Sequence, residues 1–211
     1  AESADKNLSV CDVGGFWGVL PLTLKELGYT AAMTESLKYY SDSFKGLFAF
    51  IQSRGVEIFD YDPFEDDAAL DKRFDVVTLM AVLEHYPHSH RTLMRNISRL
   101  MKPHGRLYIE VPNIAYWPKR VALLRGRTPL AELRDVYLSD VPFIGHHHEF
   151  TIAELRDLAR LSGMRVLSED FYNSTPGSHP NVRMLVRRPF QFVAFLLMKE
   201  ARECLAILCE R

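Results

Sequence analysis

From Leu8 to Asn113, short apolar runs that end in glycine or an acid alternate with longer amphipathic stretches. LSVCDVG reads as a buried strand, and GVLPLTLKELG then has helical spacing, with Pro21 tolerated in its first turn and a stop at Gly28. YTAAMTE is a second strand, SLKYYSDSFKGLFAFIQSRG carries a helix as far as Gly55, and VEIFDYD is a third strand. FDVVTLMAVLEH, dense in Val and Leu, reads as a fourth strand covered on both faces. HSHRTLMRNISRLMKPHG is a helix ended by Pro103 and Gly105, and RLYIEVPN is a fifth strand. Parallel strands need crossover connections, so this alternation predicts a doubly wound α/β fold with a mostly parallel sheet.

The grain then changes. Residues 114–150 form a long connection holding Trp117, Pro118, Pro129 and Pro142 and ending in GHHHEFT. Connections of that length in a compact domain tend to serve a site, so this stretch is expected to be a lid over a ligand. Thr151 and Glu154 have capping-box spacing at the head of the helix IAELRDLARLSG. MRVLSEDFY is a sixth strand, a helix follows around FQFVAFLLMKEA, and ECLAILCER closes the chain as a seventh strand, expected to be antiparallel. With 47% hydrophobic residues, the 211-residue chain can bury one full core, so residues 1–211 are read as a single domain.

Net charge −1 gives no global attraction to nucleic acid or to an anionic membrane, so any polyanion site is local. Cys11, Cys204 and Cys209 are an odd count without metal-ligand spacing, and AESADKNL is not a leader, which together predict a reduced, cytoplasmic setting. FQFVAFLLM has about half the length needed to span a bilayer and is expected in a core or at an interface.

The turn VCDVGGFWG falls where open α/β sheets bind ligands, beyond the carboxyl ends of the strands. Gly14, Gly15 and Gly18 let backbone approach a ligand closely. The dinucleotide fingerprint G-x-G-x-x-G does not fit GGFWG, which disfavours an NAD-dependent oxidoreductase, and no Gly-Lys-Ser/Thr closes a P-loop.

Taken together, DVGGFWG, FDVVTLMAVLEHYP and RLMKPHGRLYIEVPN resemble, in order and spacing, the motifs of class I S-adenosylmethionine-dependent methyltransferases. Within that family, VPNIAYWPKRVALLRGR and HHHEFT are most similar to the group found beside sugar and cell-envelope genes. The resemblance covers roughly residues 8–170. It implies the Rossmann-like methyltransferase fold and S-adenosyl-L-methionine as cofactor, with S-adenosyl-L-homocysteine as product. It also implies methyl transfer to an oxygen of a sugar-containing or other small polar acceptor. Asp12 then resembles the first-strand acid near the methionine part of the cofactor, and Gly14, Gly15, Phe16 and Gly18 the backbone floor beneath it. Glu35 is the candidate acceptor for both ribose hydroxyls, and Asp62 resembles the acid facing the adenine amino group, with Asp60 as the alternative. Met80, Ala81 and Glu84 are expected near the cofactor at the end of the fourth strand.

Phe16 stands where the family usually has glycine, Thr34 occupies the usual ribose-acid position, and, with so few residues ahead of the first strand, the family's leading helix is not expected in this sequence. Phe16 and Thr34 motivate a second reading, a degenerate relative that serves as a partner subunit without independent catalysis. For the catalytic reading, a histidine suits removal of a hydroxyl proton near neutral pH; the candidates are His85, His146 and His148. No metal is expected, because adjacent histidines on an extended segment point to alternate sides. Three readings fit YWPKRVALLRGR: an ordinary lid helix, a phosphate-bearing acceptor site built on Lys119, Arg120, Arg125 and Arg127, or an interfacial helix making peripheral membrane contact.

Overall fold

β1 (Ser9–Val13) lies between β2 (Thr30–Glu35) and β4 (Phe74–Met80), parallel to both. β3 (Glu57–Asp60) continues the sheet beyond β2, and β5 (Met101–Pro112) lies beside β4, again parallel. β7 (Cys204–Glu210) pairs antiparallel with β5 on one side and with β6 (Arg165–Tyr172) on the other, giving the seven-stranded order β3-β2-β1-β4-β5-β7-β6. This is the Rossmann-like methyltransferase fold expected from the sequence, with its antiparallel last strand. The computed structural model describes residues 5–65, 70, 72–139, 143, 145–175 and 179–211; Pro142 lies outside them.

Three separate apolar clusters organise the packing. The largest joins β1, β4, β5 and β7 to α3 (His90–Leu100) and α6 (Ile152–Leu161). The register of α3 shows why it packs there: Leu93, Met94, Ile97 and Leu100 fall on one helical stripe, and all are buried. A second cluster sets Met33 of β2 against α1 (Val19–Glu26) and α2 (Lys45–Ser53). The third packs α4 (Trp117–Leu124) against α7 (Val182–Arg187) and α8 (Pro189–Leu197) around Phe195. The capping box of Thr151 and Glu154 forms as its spacing predicts.

Four boundaries differ from the periodicity, each for a local reason. The helix read through Pro103 stops at Leu100, since a residue preceding proline is driven out of the helical region, and Met101–Gly105 opens β5. β4 ends at Met80 because Ala81 turns to φ 53°, and Leu83–His85 is a short 3-10 turn. Residues 36–44 form two 3-10 turns ahead of α2: Asp60 accepts from Leu37 N–H at 3.0 Å and Glu35 from the Tyr40 hydroxyl at 2.6 Å, which holds this segment against the strand tips. The helix read around FQFVAFLLMKEA begins at Pro189 and ends at Leu197, and a further helix, α7, precedes it, set apart because Arg188 ahead of Pro189 takes φ −143°.

Asn113, at the exit of β5, ties the segment that follows β5 to the one that leads into β7. Its amide donates to the carbonyls of Glu200 (2.8 Å) and Arg202 (2.7 Å), while its Oδ1 accepts from Ala115 N–H (2.8 Å). The side chain is buried, so truncation orphans three polar groups. Asn113→Ala is expected to cost about 2–4 kcal/mol in urea unfolding. Asn113→Asp should cost at least as much, because a carboxylate cannot donate to two carbonyls; a variant within 0.5 kcal/mol of wild type, roughly the effect of an ordinary surface change, would contradict this account.

Candidate functional site

The strand order reverses between β1 and β4, and the glycine turn sits at that crevice. Gly14 and Gly18 take φ 70° and 68°. A Cβ on Gly14 would come within 2.9 Å of the Val82 side chain, and one on Gly18 within 2.7 Å of Ile51, so positive φ and close approach both require glycine. Phe16 also adopts positive φ, 39°, the conformation glycine would take at no steric cost. Its ring leaves the turn and packs in an aromatic group with Trp17, Tyr40 and Phe44, and its N–H is held by the Glu35 carboxylate. Asp12 is buried beside Gly15 and accepts from the Thr78 hydroxyl at 2.6 Å; desolvation raises its pKa to about 6 against that hydrogen bond.

Beneath the turn lies a cavity of about 360 Å³, within the range of small-molecule sites, lined among others by Gly14, Thr34, Glu35, Tyr40, Asp62 and Val82. Glu35 ends β2 on this wall, and each of its carboxylate oxygens already accepts one bond, from Phe16 N–H and from Tyr40, leaving lone pairs for a ligand. Burial raises its pKa, opposed by these two bonds. Thr34, buried, has a hydroxyl oxygen without a partner among the described residues. Asp62 accepts from Ser36 (3.2 Å), Phe64 N–H (3.0 Å) and Lys38 (3.0 Å). It lies two residues beyond the end of β3, whereas Asp60 is exposed, holds Leu37, and does not line the cavity. This cavity supplies backbone, two carboxylates and an apolar wall in one place, which fits an adenosine-sized polar ligand. Met80 is half-buried and Ala81 exposed at the tip of β4.

A second polar group stands just past that tip. Glu84 is fully buried, and neither carboxylate oxygen has a hydrogen-bond partner among the described residues. Burial raises its pKa to about 7, opposed in part by the charge of His146. His146 Nε2 is 4.0 Å from Glu84 Oε1, its Nδ1 is 2.9 Å from Glu149 Oε1, and its ring meets that of His85 edge-on at 4.9 Å. Glu149 is itself buried and paired with Lys119. The Glu84 carbonyl accepts from His147 N–H (2.7 Å) and His148 N–H (3.3 Å), which pins the histidine segment to the end of β4. Glu84, His85 and His146 bring donor atoms within 4.8 Å of one another and are a set that could hold a metal ion. His148 is not part of this set: its ring faces Glu154 (3.2 Å) and Phe150, on the α6 side. Glu149 escaped the sequence reading, although the His146-x-x-Glu149 spacing was there to find it.

The lid cations divide. Lys119 is engaged by Glu149, and Arg120 donates to the carbonyls of Ala115 and Glu200, so both are structural rather than free for a phosphate. Arg125 and Arg127 are exposed, as are Arg183 and Arg187 of α7. Large apolar side chains of α4, α7 and α8 are exposed as well: Leu124 is 87% exposed and Phe190 80%, with Leu123, Val186 and Leu197 also exposed. Trp117 instead turns inward, against the α8 cluster.

The family described as "Methyltransferase domain" matches residues 1–169. This chain belongs to it. Solved structures resemble the methyltransferase over nearly its whole length. An S-adenosylmethionine-dependent methyltransferase from Methanosarcina mazei aligns with TM-score 0.65 and 16% identity, covering 98% of this chain and 93% of that one. One from Mesorhizobium loti gives 0.61 and 13%, covering 97% and 91%. The Burkholderia thailandensis 1,6-didemethyltoxoflavin-N1-methyltransferase, solved with S-adenosylhomocysteine, gives 0.58 and 18%, covering 98% and 72%. A search of curated proteins by sequence found no match.

The Asp12 environment sets a pH dependence. In the folded methyltransferase Asp12 keeps its proton between pH 3.8 and about 6, where the unfolded chain has released it, so stability from this group falls as pH rises through that window. Asp12→Asn keeps an acceptor for Thr78 and removes the titration. Its stability relative to wild type should therefore rise by about 1–3 kcal/mol between pH 4 and pH 8 in urea unfolding; parallel profiles would refute the assignment.

Proposed function

We propose that this methyltransferase carries a methyl group from S-adenosylmethionine to an oxygen of a sugar-containing or other small polar acceptor. The observation that carries the reading is the pairing of two polar centres across the β1/β4 crevice: the Glu35–Asp62 cavity beneath the glycine turn, and Glu84 with His85 and His146 just beyond β4. The cofactor is S-adenosylmethionine, which supplies a methyl group already activated on a sulfonium. Asp12 and the turn from Gly14 to Gly18 hold its methionine part, Glu35 accepts the ribose hydroxyls, and Asp62 faces the adenine amino group. Met80 and Ala81 border it at the tip of β4. The remaining task is alignment and exclusion of water, a contribution of about 7–11 kcal/mol. The acceptor hydroxyl lies against Glu84, His85 and His146 and loses its proton there; His148 takes no part. Phe16 packs its ring on Tyr40 and Phe44 rather than lining the cavity, so it lends no support to a non-catalytic partner subunit.

The lid at residues 114–150 supports an acceptor presented at a membrane surface. Among the described residues no helix is long and apolar enough to cross a membrane. Exposed Leu124 and Phe190 beside Arg125, Arg127, Arg183 and Arg187 combine apolar anchors with cations for phosphate, as an interfacial face requires. A glycan carried on a lipid phosphate, like those of the cell envelope, has this chemistry. Cys11, Cys204 and Cys209 are buried free thiols, which suits a cytoplasmic location.

Calorimetric titration with S-adenosylhomocysteine should give saturable binding, weakened at least about tenfold by Glu35→Ala, the loss expected for a charged hydrogen bond. A folded chain that binds neither S-adenosylmethionine nor S-adenosylhomocysteine at millimolar ligand would overturn the function. Sedimentation with vesicles should show binding to phosphatidylglycerol but little to phosphatidylcholine, and loss in the double variant Leu124→Asp, Arg125→Glu. Equal recovery on both vesicles would remove the membrane-surface reading.

A further inference from the structure

The acceptor-side group has the makings of a metal centre. We propose that Glu84, His85 and His146 bind one divalent transition cation of the zinc type, with an open coordination position for the acceptor oxygen. The proposal rests on the methyltransferase reading for the identity of the acceptor, not for the binding of the ion.

Four observations converge. The three donor atoms lie within 4.8 Å of one another. Tetrahedral bonds of about 2.0–2.1 Å set ligand atoms roughly 3.3 Å apart, so the 4.0 Å between His146 Nε2 and Glu84 Oε1 has to close by well under 1 Å. Glu84 is a fully buried carboxylate with no hydrogen-bond partner among the described residues, an arrangement that is costly until a cation or donor faces it. The outer contacts are those a metal-bound imidazole uses: Nδ1–H of His146 donates to Glu149 at 2.9 Å, which leaves the Nε2 lone pair directed at the site, and Lys119 holds Glu149 in turn. Two imidazoles and one carboxylate suit zinc and its neighbours better than magnesium or calcium, and three protein ligands leave a position open, as in catalytic rather than structural sites.

The chemistry follows from that open position. A hydroxyl oxygen bound to the cation has its pKa lowered, as bound water falls from 15.7 to about 7, and releases its proton to solvent. The oxygen then forms its bond to the methyl carbon while the carbon–sulfur pair stays on sulfur, leaving a neutral thioether. His146 Nε2 thus serves as a ligand and not as the proton acceptor.

The test uses the untagged chain, stripped with chelator and titrated with Co2+, followed by visible absorption and by metal analysis after Zn2+ loading. One ion per chain is expected, with affinity reduced at least tenfold in Glu84→Gln and in His146→Ala. Glu149→Gln removes no ligand and should weaken binding by about 10–100-fold, the usual effect of an outer-contact change. Failure of a folded chain to take up Co2+ or Zn2+, or uptake unchanged in both ligand variants, overturns the proposal. S-adenosylhomocysteine titration of the same samples reports separately on the methyltransferase reading, because that ligand is assigned to the cavity under the glycine turn.

Discussion

The hydrogen bond from Thr78 to Asp12 joins β4 to β1 at the point where the sheet changes its winding direction. Two groups of the candidate site hang from the carboxyl ends of these two strands, while Glu35 closes β2 and Asp62 follows β3. The glycine turn leaves β1 there, and Val82, Glu84 and His85 leave β4 there. Separation of the two strands at this point would pull the cavity and the acceptor-side cluster apart together. The arrangement carries an electrostatic cost, since Asp12 and Glu35 are both buried carboxyls, and the charge of Glu35 adds to burial in raising the pKa of Asp12. A cationic ligand relieves that cost, which ties the stability of the crevice to its occupancy.

The Phe16 position shows how a departure from a pattern can be absorbed. Positive φ at a bulky residue costs on the order of 1 kcal/mol, and the aromatic contacts with Tyr40 and Phe44 offset it. The same shift makes Glu35 a double support: it holds the turn through Phe16 N–H and faces the cavity. A carboxylate one place later on β2 therefore arrives with a compensating change in the turn opposite it.

Much of this fold was legible because parallel strands and crossover helices impose alternating periods that nothing else imitates. The sheet, the capping box at Thr151 and the antiparallel last strand follow directly from pattern. What failed was decided by side chains distant in sequence or by proline. Asp60 and Glu35 fold residues 36–44 into short turns, and α3 stops at Leu100 because Pro103 drives the residue before it out of the helical region and into β5. At the site, the acids at strand tips could be read from position alone. His146 and His148 could not be separated, since their division depends on where the Glu84 carbonyl pins the segment. Likewise, Lys119 and Arg120 looked available until their partners Glu149, Ala115 and Glu200 were placed beside them.

Helices α4, α7 and α8 keep their own core. Met184, Ala194, Phe195 and Ala201 pack with Trp117 in a cluster distinct from the one that holds the sheet. Protein regions with few shared buried contacts open as their own cooperative units. Loosening α4, α7 and α8 exposes this small cluster and also releases Lys119 from Glu149. The buried contacts of α4, α7 and α8 are thus separable from those of the sheet, and the pairing of Lys119 with Glu149 is a link through which a change in one is felt in the other.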